Sequence, residues 1–144
     1  MVARLAALNL SYGIYDLSMS PSQRLRRDQR LGLSTPHLEW MIEQFTPSLS
    51  PEDRRRPEVS PLFAHLGGLP PALFIVGSAD ILLDDTLFLA ARWASCGNAA
   101  DLEVHPEAPH GFNALPTAIA MAANRRIEAF LAAHCAVDAP GPAT

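Results

Sequence analysis

Two side chains in this sequence have the chemistry of an acid–base pair, Asp80 and His110. Asp80 follows an apolar run that ends in Gly77, and His110 lies about thirty residues further on, directly before Gly111. A carboxylate bound to one imidazole nitrogen holds the ring in one tautomer and stabilises its protonated form. The other ring nitrogen is then free to accept a proton from a hydroxyl group. The two residue types therefore predict general-base chemistry, provided that the fold brings them together.

Either residue alone is weak evidence for a catalytic site. An aspartate between a strand and a helix is most often a cap or turn residue, and an isolated histidine is most often structural. The small Gly111 next to His110 allows the backbone to turn sharply after the imidazole. The significance of the pair depends on the elements that carry its members.

Three segments have the composition of β-strands. Residues 5–14 are almost continuously apolar, as in a strand buried on both faces of a parallel sheet, although their alanines also suit a helix. Residues 72–77 are rich in large and β-branched side chains, and residues 101–105 alternate between polar and apolar, which is typical of a strand near a sheet edge. Because active sites of α/β proteins lie at the carboxyl ends of parallel strands, Asp80 and His110 are expected at one edge.

Helices are predicted between and after these strands. Asp84 and Asp85 favour a helix N-terminus through the helix dipole, and this helix continues through Cys96 to Gly97, which suits a helix C-terminus. A last helix has Pro116 in its first turn, and apolar residues recur along one face of it, namely Ile119, Ala123, Ile127 and Leu131. The alternation of strands and helices predicts an α/β fold with parallel strands.

The region 17–61 is longer than a plain connection between strands, so we interpret it as a cap-like insertion. Within it, Thr35 is predicted to cap a helix with Pro36 as its first residue. A second, short capped turn is expected at residues 50–53. We interpret the arginine run at 54–56 as a solvated surface turn, with an anion-binding clamp as the alternative.

Composition argues against several classes of protein. The formal net charge of −4 disfavours nucleic acid as a partner, because phosphate binding needs clustered positive charge. No apolar run is long enough to span a membrane and no signal peptide is evident, so we expect a cytoplasmic protein. Cys96 and Cys135 fit no metal-binding spacing and are interpreted as free thiols. The Ala- and Pro-rich tail, 135–144, is expected to be disordered.

Several motifs, taken in order, resemble the bacterial hormone-sensitive-lipase-like carboxylesterases, which have the α/β-hydrolase fold. The similar segments are residues 12–17, 35–40, 60–66, 77–80, 82–85 and 106–112. In this resemblance Asp80 corresponds to the catalytic acid and His110 to the catalytic histidine, in the chain order typical of the fold. Asp84 and Asp85 are interpreted as capping residues. The resemblance implies that residues 1–134 form the C-terminal portion of an α/β-hydrolase domain.

Two other histidines, His65 and His105, do not fall on these motifs and are interpreted as surface or strand residues. The nucleophile of the family is also missing from the sequence, which contains neither the Gly-x-Ser-x-Gly elbow nor an HGGG-type oxyanion loop. Ser11 lacks flanking glycines, and Ser78 belongs to the loop of the acid. We therefore expect a fragment of a serine carboxylesterase for short-chain acyl esters, which is inactive alone and uses no metal or cofactor.

Two other hypotheses stay open, a non-catalytic interaction protein and one half of a split esterase. In the family the strand at 5–14 pairs with the strand that bears the nucleophile, so its outer edge would be bare here. A bare apolar edge favours pairing with another chain, and we expect a homodimer through Leu5–Ile14. The sequence leaves open whether the apolar side chains of the insertion line an acyl pocket or pack internally, namely Leu38, Trp40, Met41 and Phe45.

Overall fold

The computed structural model describes residues 5–25 and 32–135. Its centre is a parallel sheet of three strands in the order β1-β2-β3. The strands are β1 at Leu8–Ser11, β2 at Ala72–Gly77 and β3 at Ala100–His105. The predicted α/β architecture with three parallel strands is confirmed, and the carboxyl ends of all three strands lie at one edge.

The central strand, β2, has the bounds that its composition predicts, and all six of its residues are buried. The third strand begins at Ala100, one residue earlier than predicted, and lies at the sheet edge as expected. Its apolar side chains Leu102 and Val104 are 43% and 42% exposed, whereas the polar Glu103 and His105 are half-buried, so the apolar side chains of the alternating pattern are not the covered ones.

The first strand is shorter and less buried than predicted. It ends at Ser11 because Tyr12 has a φ of +37°, which no β-strand can contain. Its residues are half-buried or exposed, whereas burial on both faces was expected for the segment 5–14. The reason is its position, since within the described residues β1 has β2 as its single neighbour.

Two helices cover opposite faces of the sheet. On one face, α3 (Leu83–Ser95) packs Leu89 and Trp93 against Phe74, and Gly97 with a φ of +82° follows its end as predicted. On the other face, α4 (Ala118–Cys135) packs against the alternate β2 side chains Leu73 and Ile75. The apolar face predicted for α4 makes this contact, through Ile119, Ala123, Ile127 and Leu131.

Two helices begin at a different residue from the one predicted, and side-chain hydrogen bonds account for both shifts. Helix α2 (Thr35–Phe45) has Ser34 and not Thr35 at its cap position, because the Thr35 hydroxyl points inward and donates to the carbonyl of Gln23 at 2.6 Å. The Thr117 hydroxyl accepts the N–H of Ala120 at 3.2 Å, so α4 is capped one residue after Pro116. Proline therefore precedes this helix instead of lying in its first turn.

The region between β1 and β2 contains α1 (Pro21–Leu25), α2 and two 3₁₀ turns, at Asp53–Arg55 and Pro61–Phe63. Within the arginine run, Arg55 and Arg56 are exposed, as the surface-turn interpretation predicts, whereas Arg54 is not. The Arg54 side chain is only 14% exposed and forms an ion pair with Glu43 at 2.6 Å, while the Arg55 Nε donates to Ser18 at 3.1 Å. These side chains therefore hold the segment together.

Three further observations concern the cysteines, the predicted tail and the absence of a membrane-spanning helix among the described residues. Cys96 and Cys135 are exposed free thiols, as predicted. Of the predicted tail, Cys135 closes α4 and the rest lies outside the described residues. No helix in the part of the chain that the structure describes is long and apolar enough to cross a membrane.

Candidate active site

Asp80 lies in the short loop between β2 and α3. Its N–H donates to the carbonyl of Gly77 at 3.0 Å, which turns the chain back over the end of the strand. The side chain is fully buried, and its Oδ1 accepts the N–H of Leu82 at 2.9 Å. This local bond orients the carboxylate and leaves room on it for a partner from another loop.

The loop that follows β3 is fastened to the loop of Asp80. The N–H groups of Ser78 and Ala79 donate to the carbonyls of His105 and Ala108 at 2.8 and 3.2 Å. The approach is so close that a Cβ on Gly77 would lie 1.9 Å from the Ala108 oxygen. Only glycine fits at this position, and the resulting contact holds the two loops in register.

His110 comes from this second loop and meets Asp80 at the sheet edge. Its Nδ1 lies 3.0 Å from Oδ2 and 3.2 Å from Oδ1 of the carboxylate. The side chain is 26% exposed, whereas its aspartate partner is wholly buried. With Nδ1 as donor to the carboxylate, Nε2 is the acceptor nitrogen, which is the arrangement that general-base chemistry requires. The catalytic role of the two residues stays a prediction.

The chain turns away from the site directly after the histidine. Gly111 has a φ of +72°, a backbone conformation that favours glycine, and a 3₁₀ turn at Phe112–Ala114 follows. Phe112 is 1% exposed and packs into the core under α4. This buried ring anchors the loop and therefore limits the movement of His110.

The remaining candidates from the sequence lie elsewhere. The Ser11 hydroxyl donates to Asn9 at 3.2 Å, and the Ser78 hydroxyl accepts the N–H of Glu107 at 2.8 Å. His65 is exposed, and His105 ends β3 with its ring 4.9 Å from that of Phe112. Among the described residues, no cluster of histidine, cysteine and acidic side chains is arranged to hold a metal ion.

Asp85, a predicted capping residue, has a different role. Its side chain is fully buried, and both of its oxygens accept hydrogen bonds from the segment after β1. The donors are the N–H groups of Tyr15 and Asp16, at 2.8 and 2.9 Å, and the side chains of Ser20 and Gln23, at 2.5 and 2.8 Å. Asp85 lies in the first turn of α3, as predicted, but its carboxylate does not cap the helix and instead fastens the segment after β1 to α3.

The environment of Asp85 also changes its acidity. Burial raises the pKa of its carboxyl from the ordinary 3.8 to about 6, although the hydrogen bonds from Ser20, Tyr15 and Asp16 act in the opposite direction. The neighbouring Asp84 is a cap of another kind, since its Oδ2 accepts the N–H of Ser22 at the start of α1, at 2.7 Å. The carboxylates of Asp84 and Asp85 thus both connect α3 to the segment that precedes α2.

Two residues near the histidine were not among the site residues predicted from the sequence, Tyr12 and Asn113. The Tyr12 ring meets the His110 ring edge-on, with 4.9 Å between ring centroids, and its hydroxyl donates to Asn113 Oδ1 at 2.5 Å. One signal could have identified Tyr12, since it follows β1 as Asp80 follows β2 and His110 follows β3. All three therefore lie at the same edge.

Comparison with known proteins places this geometry in a family. A model of the alpha/beta hydrolase fold matches residues 2–114. An esterase of Acinetobacter venetianus is 41% identical over 93 residues, which cover 62% of this chain and 28% of the relative. An acetyl-hydrolase of Streptomyces hygroscopicus is 35% identical over 89 residues, covering 62% of this chain and 29% of the relative.

Solved structures agree with these relatives. A hormone-sensitive lipase from a metagenome library superposes with a TM-score of 0.83 at 28% identity, covering 92% of this chain and 45% of that one. A hyperthermophilic esterase from the archaeon Pyrobaculum calidifontis gives 0.81 at 25% identity, covering 91% and 43%. The chain thus spans less than half the length of these proteins. It belongs to the α/β-hydrolase family and is a hormone-sensitive-lipase-like member of it.

Proposed function

We propose that this chain supplies the acid and the base of a serine carboxylesterase that acts on short-chain acyl esters. One observation carries the proposal, the contact of the buried Asp80 carboxylate with Nδ1 of His110 at 3.0 Å. A buried acid beside a partly exposed imidazole fixes one ring nitrogen and leaves the other for the reacting group. The esterase and acetyl-hydrolase relatives support ester hydrolysis as the reaction.

The chemistry that this pair can perform is proton transfer. His110 Nε2 would take the proton of a serine hydroxyl as that oxygen attacks the ester carbonyl, and Asp80 would stabilise the imidazolium that forms. The same proton would then pass to the leaving alcohol, which leaves an acyl-enzyme for water to hydrolyse. The serine and the oxyanion donors have to come from sequence outside these residues, so the chain alone is proposed to be inactive.

An apolar cavity in the inserted region is the proposed site for the acyl group. Its volume is about 290 Å³, and its lining is Ile14, Leu17, Met41, Ile42 and Phe45. Met41 and Phe45 are 42% and 75% exposed, so internal packing in this chain does not account for them, whereas Leu38 is fully buried. A concave apolar surface that begins two residues after Tyr12 suits a short hydrocarbon chain.

The test is hydrolysis of p-nitrophenyl acetate by the chain alone and together with a nucleophile-bearing partner. The partner is the part of the Acinetobacter venetianus esterase that precedes the matching region, produced in the same cell as this chain. We expect no hydrolysis by the chain alone, hydrolysis by the pair, and its loss on His110→Ala but not on His65→Ala, an exposed histidine. Hydrolysis by the chain alone that His110→Ala abolishes would overturn the proposed inactivity.

A second candidate function is self-association through β1, which the open side of this strand favours. The N–H groups of Leu8 and Tyr12 donate to the carbonyls of Pro71, next to β2, and of Ile75, within β2, at 2.9 and 2.8 Å. Because the direction of N–H groups alternates along a strand, that of Asn9 points away from the sheet. The outward row of donors and acceptors could pair with the same strand of a second copy.

Sedimentation of the purified chain over a range of concentrations tests this candidate. We expect a dimer for the unaltered chain and a monomer for Asn9→Pro, since proline removes the outward N–H without breaking a bond to β2. Leu102→Ala, on β3 at the opposite edge of the sheet, is the control. A monomer at every concentration, or a dimer that tolerates Asn9→Pro, would contradict association through this edge.

A further inference from the structure

We infer that Tyr12 and Asn113 form a positioning pair that holds the imidazole plane of His110 against Asp80. The inference rests on the proposed function for its catalytic meaning, although the contacts that support it are independent of any reaction. The sequence analysis assigned neither residue to the site, and they lie 101 positions apart in the chain.

The first contact is between two rings. The Tyr12 and His110 rings meet at an interplanar angle of 69° with their centroids 4.9 Å apart, an edge-to-face arrangement that aromatic rings favour. Asp80 holds Nδ1 at one side of the imidazole. Rotation about the Cβ–Cγ bond, which would exchange the Nδ1 and Cδ2 sides, breaks the contact with Asp80 and has to pass through orientations in which the ring contact with Tyr12 is also lost.

The second contact fixes the tyrosine itself. The Tyr12 hydroxyl donates to the side-chain Oδ1 of Asn113. The backbone carbonyl of Asn113 accepts a hydrogen bond from Nδ2 of Asn124 in α4 at 3.0 Å. Burial raises the pKa of the Tyr12 phenol, and the charge of Asp80 raises it further, so the hydroxyl stays a donor at alkaline pH. The tyrosine is thus tied to a helix that packs on the sheet.

The backbone supports the same conclusion. Tyr12 has a φ of +37°, which is uncommon for a residue with a bulky side chain and costs free energy. Its N–H nevertheless donates to the Ile75 carbonyl at 2.8 Å, which places the residue firmly at the end of β1. An unfavourable conformation retained beside the histidine aims the ring at the imidazole.

The tautomer of His110 measures this positioning directly. Nitrogen-15 spectra of the neutral imidazole, recorded at alkaline pH on the whole chain, distinguish a proton on Nδ1 from one on Nε2. We expect one dominant tautomer, with the proton on Nδ1, in the unaltered chain. Tyr12→Ala should lose this dominance, while Tyr12→Phe and Asn113→Ala, which keep the ring but break the hydroxyl bond, should lose part of it.

Tyr15→Phe is the matched control, because Tyr15 packs with the cluster under α3 on the other face of the sheet. It should leave the tautomer unchanged. Urea unfolding of each variant identifies those that fold. If Tyr12→Ala folds and keeps a single Nδ1-protonated tautomer, the inference is wrong. If it does not fold, an unaltered tautomer in both Tyr12→Phe and Asn113→Ala overturns the inference equally.

One further variant separates this inference from the proposed function. Asp80→Asn removes the carboxylate partner of Nδ1 and should abolish the tautomer preference. Unchanged spectra in Asp80→Asn would contradict the acid–base pair and, with it, the positioning role. Altered spectra in Asp80→Asn alone would retain the pair and overturn only the role of Tyr12 and Asn113.

Discussion

Asp80 and Asp85 are five residues apart, and both are fully buried, yet they serve different purposes. Asp80 accepts one backbone N–H and faces an imidazole, a partner that can change its charge. Asp85 accepts bonds from two backbone N–H groups, a hydroxyl and an amide, none of which titrates near neutral pH. Burial alone therefore does not distinguish the proposed catalytic acid, Asp80, from the structural carboxylate, Asp85.

The partners make the distinction. The side chain of His110 is 26% exposed, so a proton that it accepts beside Asp80 can pass to a group outside the sheet edge. All four partners of Asp85 lie between residues 15 and 23 and point inward, so its contacts stabilise the position of that segment on α3. Of the two carboxylates, only Asp80 has a partner that reaches the surface, so only Asp80 is placed to support the proposed proton transfer.

The largest expected effect comes from removing the structural carboxylate. Asp85→Ala leaves four donors without their acceptor, and we expect the free energy of unfolding to fall by about 3–5 kcal/mol. Urea denaturation measures it. Glu58→Ala, at an exposed carboxylate, is the control and should change stability by no more than about 0.5 kcal/mol. A loss below about 1 kcal/mol in Asp85→Ala would remove the contrast between the two aspartates.

The acidity of Asp85 predicts a pH dependence of stability. The folded state binds its proton with a pKa of about 6 and the unfolded state with one near 3.8, so the folded state holds more protons between these values. Stability should therefore fall as pH rises from about 4 to about 6, by about 3 kcal/mol, and level off above that range.

Asp85→Asn should flatten this part of the profile, because the amide does not titrate. Unfolding midpoints in urea at a series of pH values measure the effect. A profile that is the same in the unaltered chain and in Asp85→Asn would show that Asp85 titrates at its ordinary pKa.

Gly77→Ala should displace the loop that carries His110, the partner of Asp80. Its Cβ would lie 1.9 Å from the Ala108 oxygen, so the loop of His110 has to move, at a cost of about 1–3 kcal/mol. Gly97→Ala is a matched control, since its Cβ meets open space and only the φ of +82° opposes it. We expect that control to cost about 1 kcal/mol. Altered His110 resonances in Gly77→Ala alone would identify displacement of the loop, and equal spectra in both variants would contradict it.

The smallest loss of stability is expected when ion pairs with exposed carboxylates are removed, in contrast to the buried Asp85. Arg126 in α4 forms ion pairs with Asp101 and Glu103 on β3, and all three side chains are at least one third exposed. Solvent screens such pairs, so Arg126→Ala should lower thermal stability by about 1 kcal/mol or less. A calorimetric loss as large as that of Asp85→Ala would mean that burial does not set the scale of these interactions.

Local pattern was sufficient for part of the molecule. The strand at 72–77 has its predicted bounds because every side chain in it is apolar and Gly77 closes it. The helix at 83–95 follows from its acidic start and from Gly97 after its end, and the helix at 118–135 follows from its apolar periodicity. The positions of Asp80 and His110 after strands led to the expectation of one shared edge, where the structure brings them into contact.

Other features depend on residues far apart in the chain. The end of β1 at Ser11 follows from the backbone of Tyr12, whose ring contacts a histidine and an asparagine about a hundred positions away. The sequence around Asp85 is that of a capping residue. Its actual hydrogen-bond donors lie 62–70 positions earlier, beyond the reach of any local pattern. Such contacts have no periodicity, so no sequence window contains them.

The α/β class, the central strand, the main helices and the pairing of Asp80 with His110 could be predicted from the sequence, because they depend on residue type, local spacing and chain order. The role of Asp85 and the contacts of Tyr12 with His110 and Asn113 required the tertiary structure, because they join groups that folding brings together from distant parts of the chain.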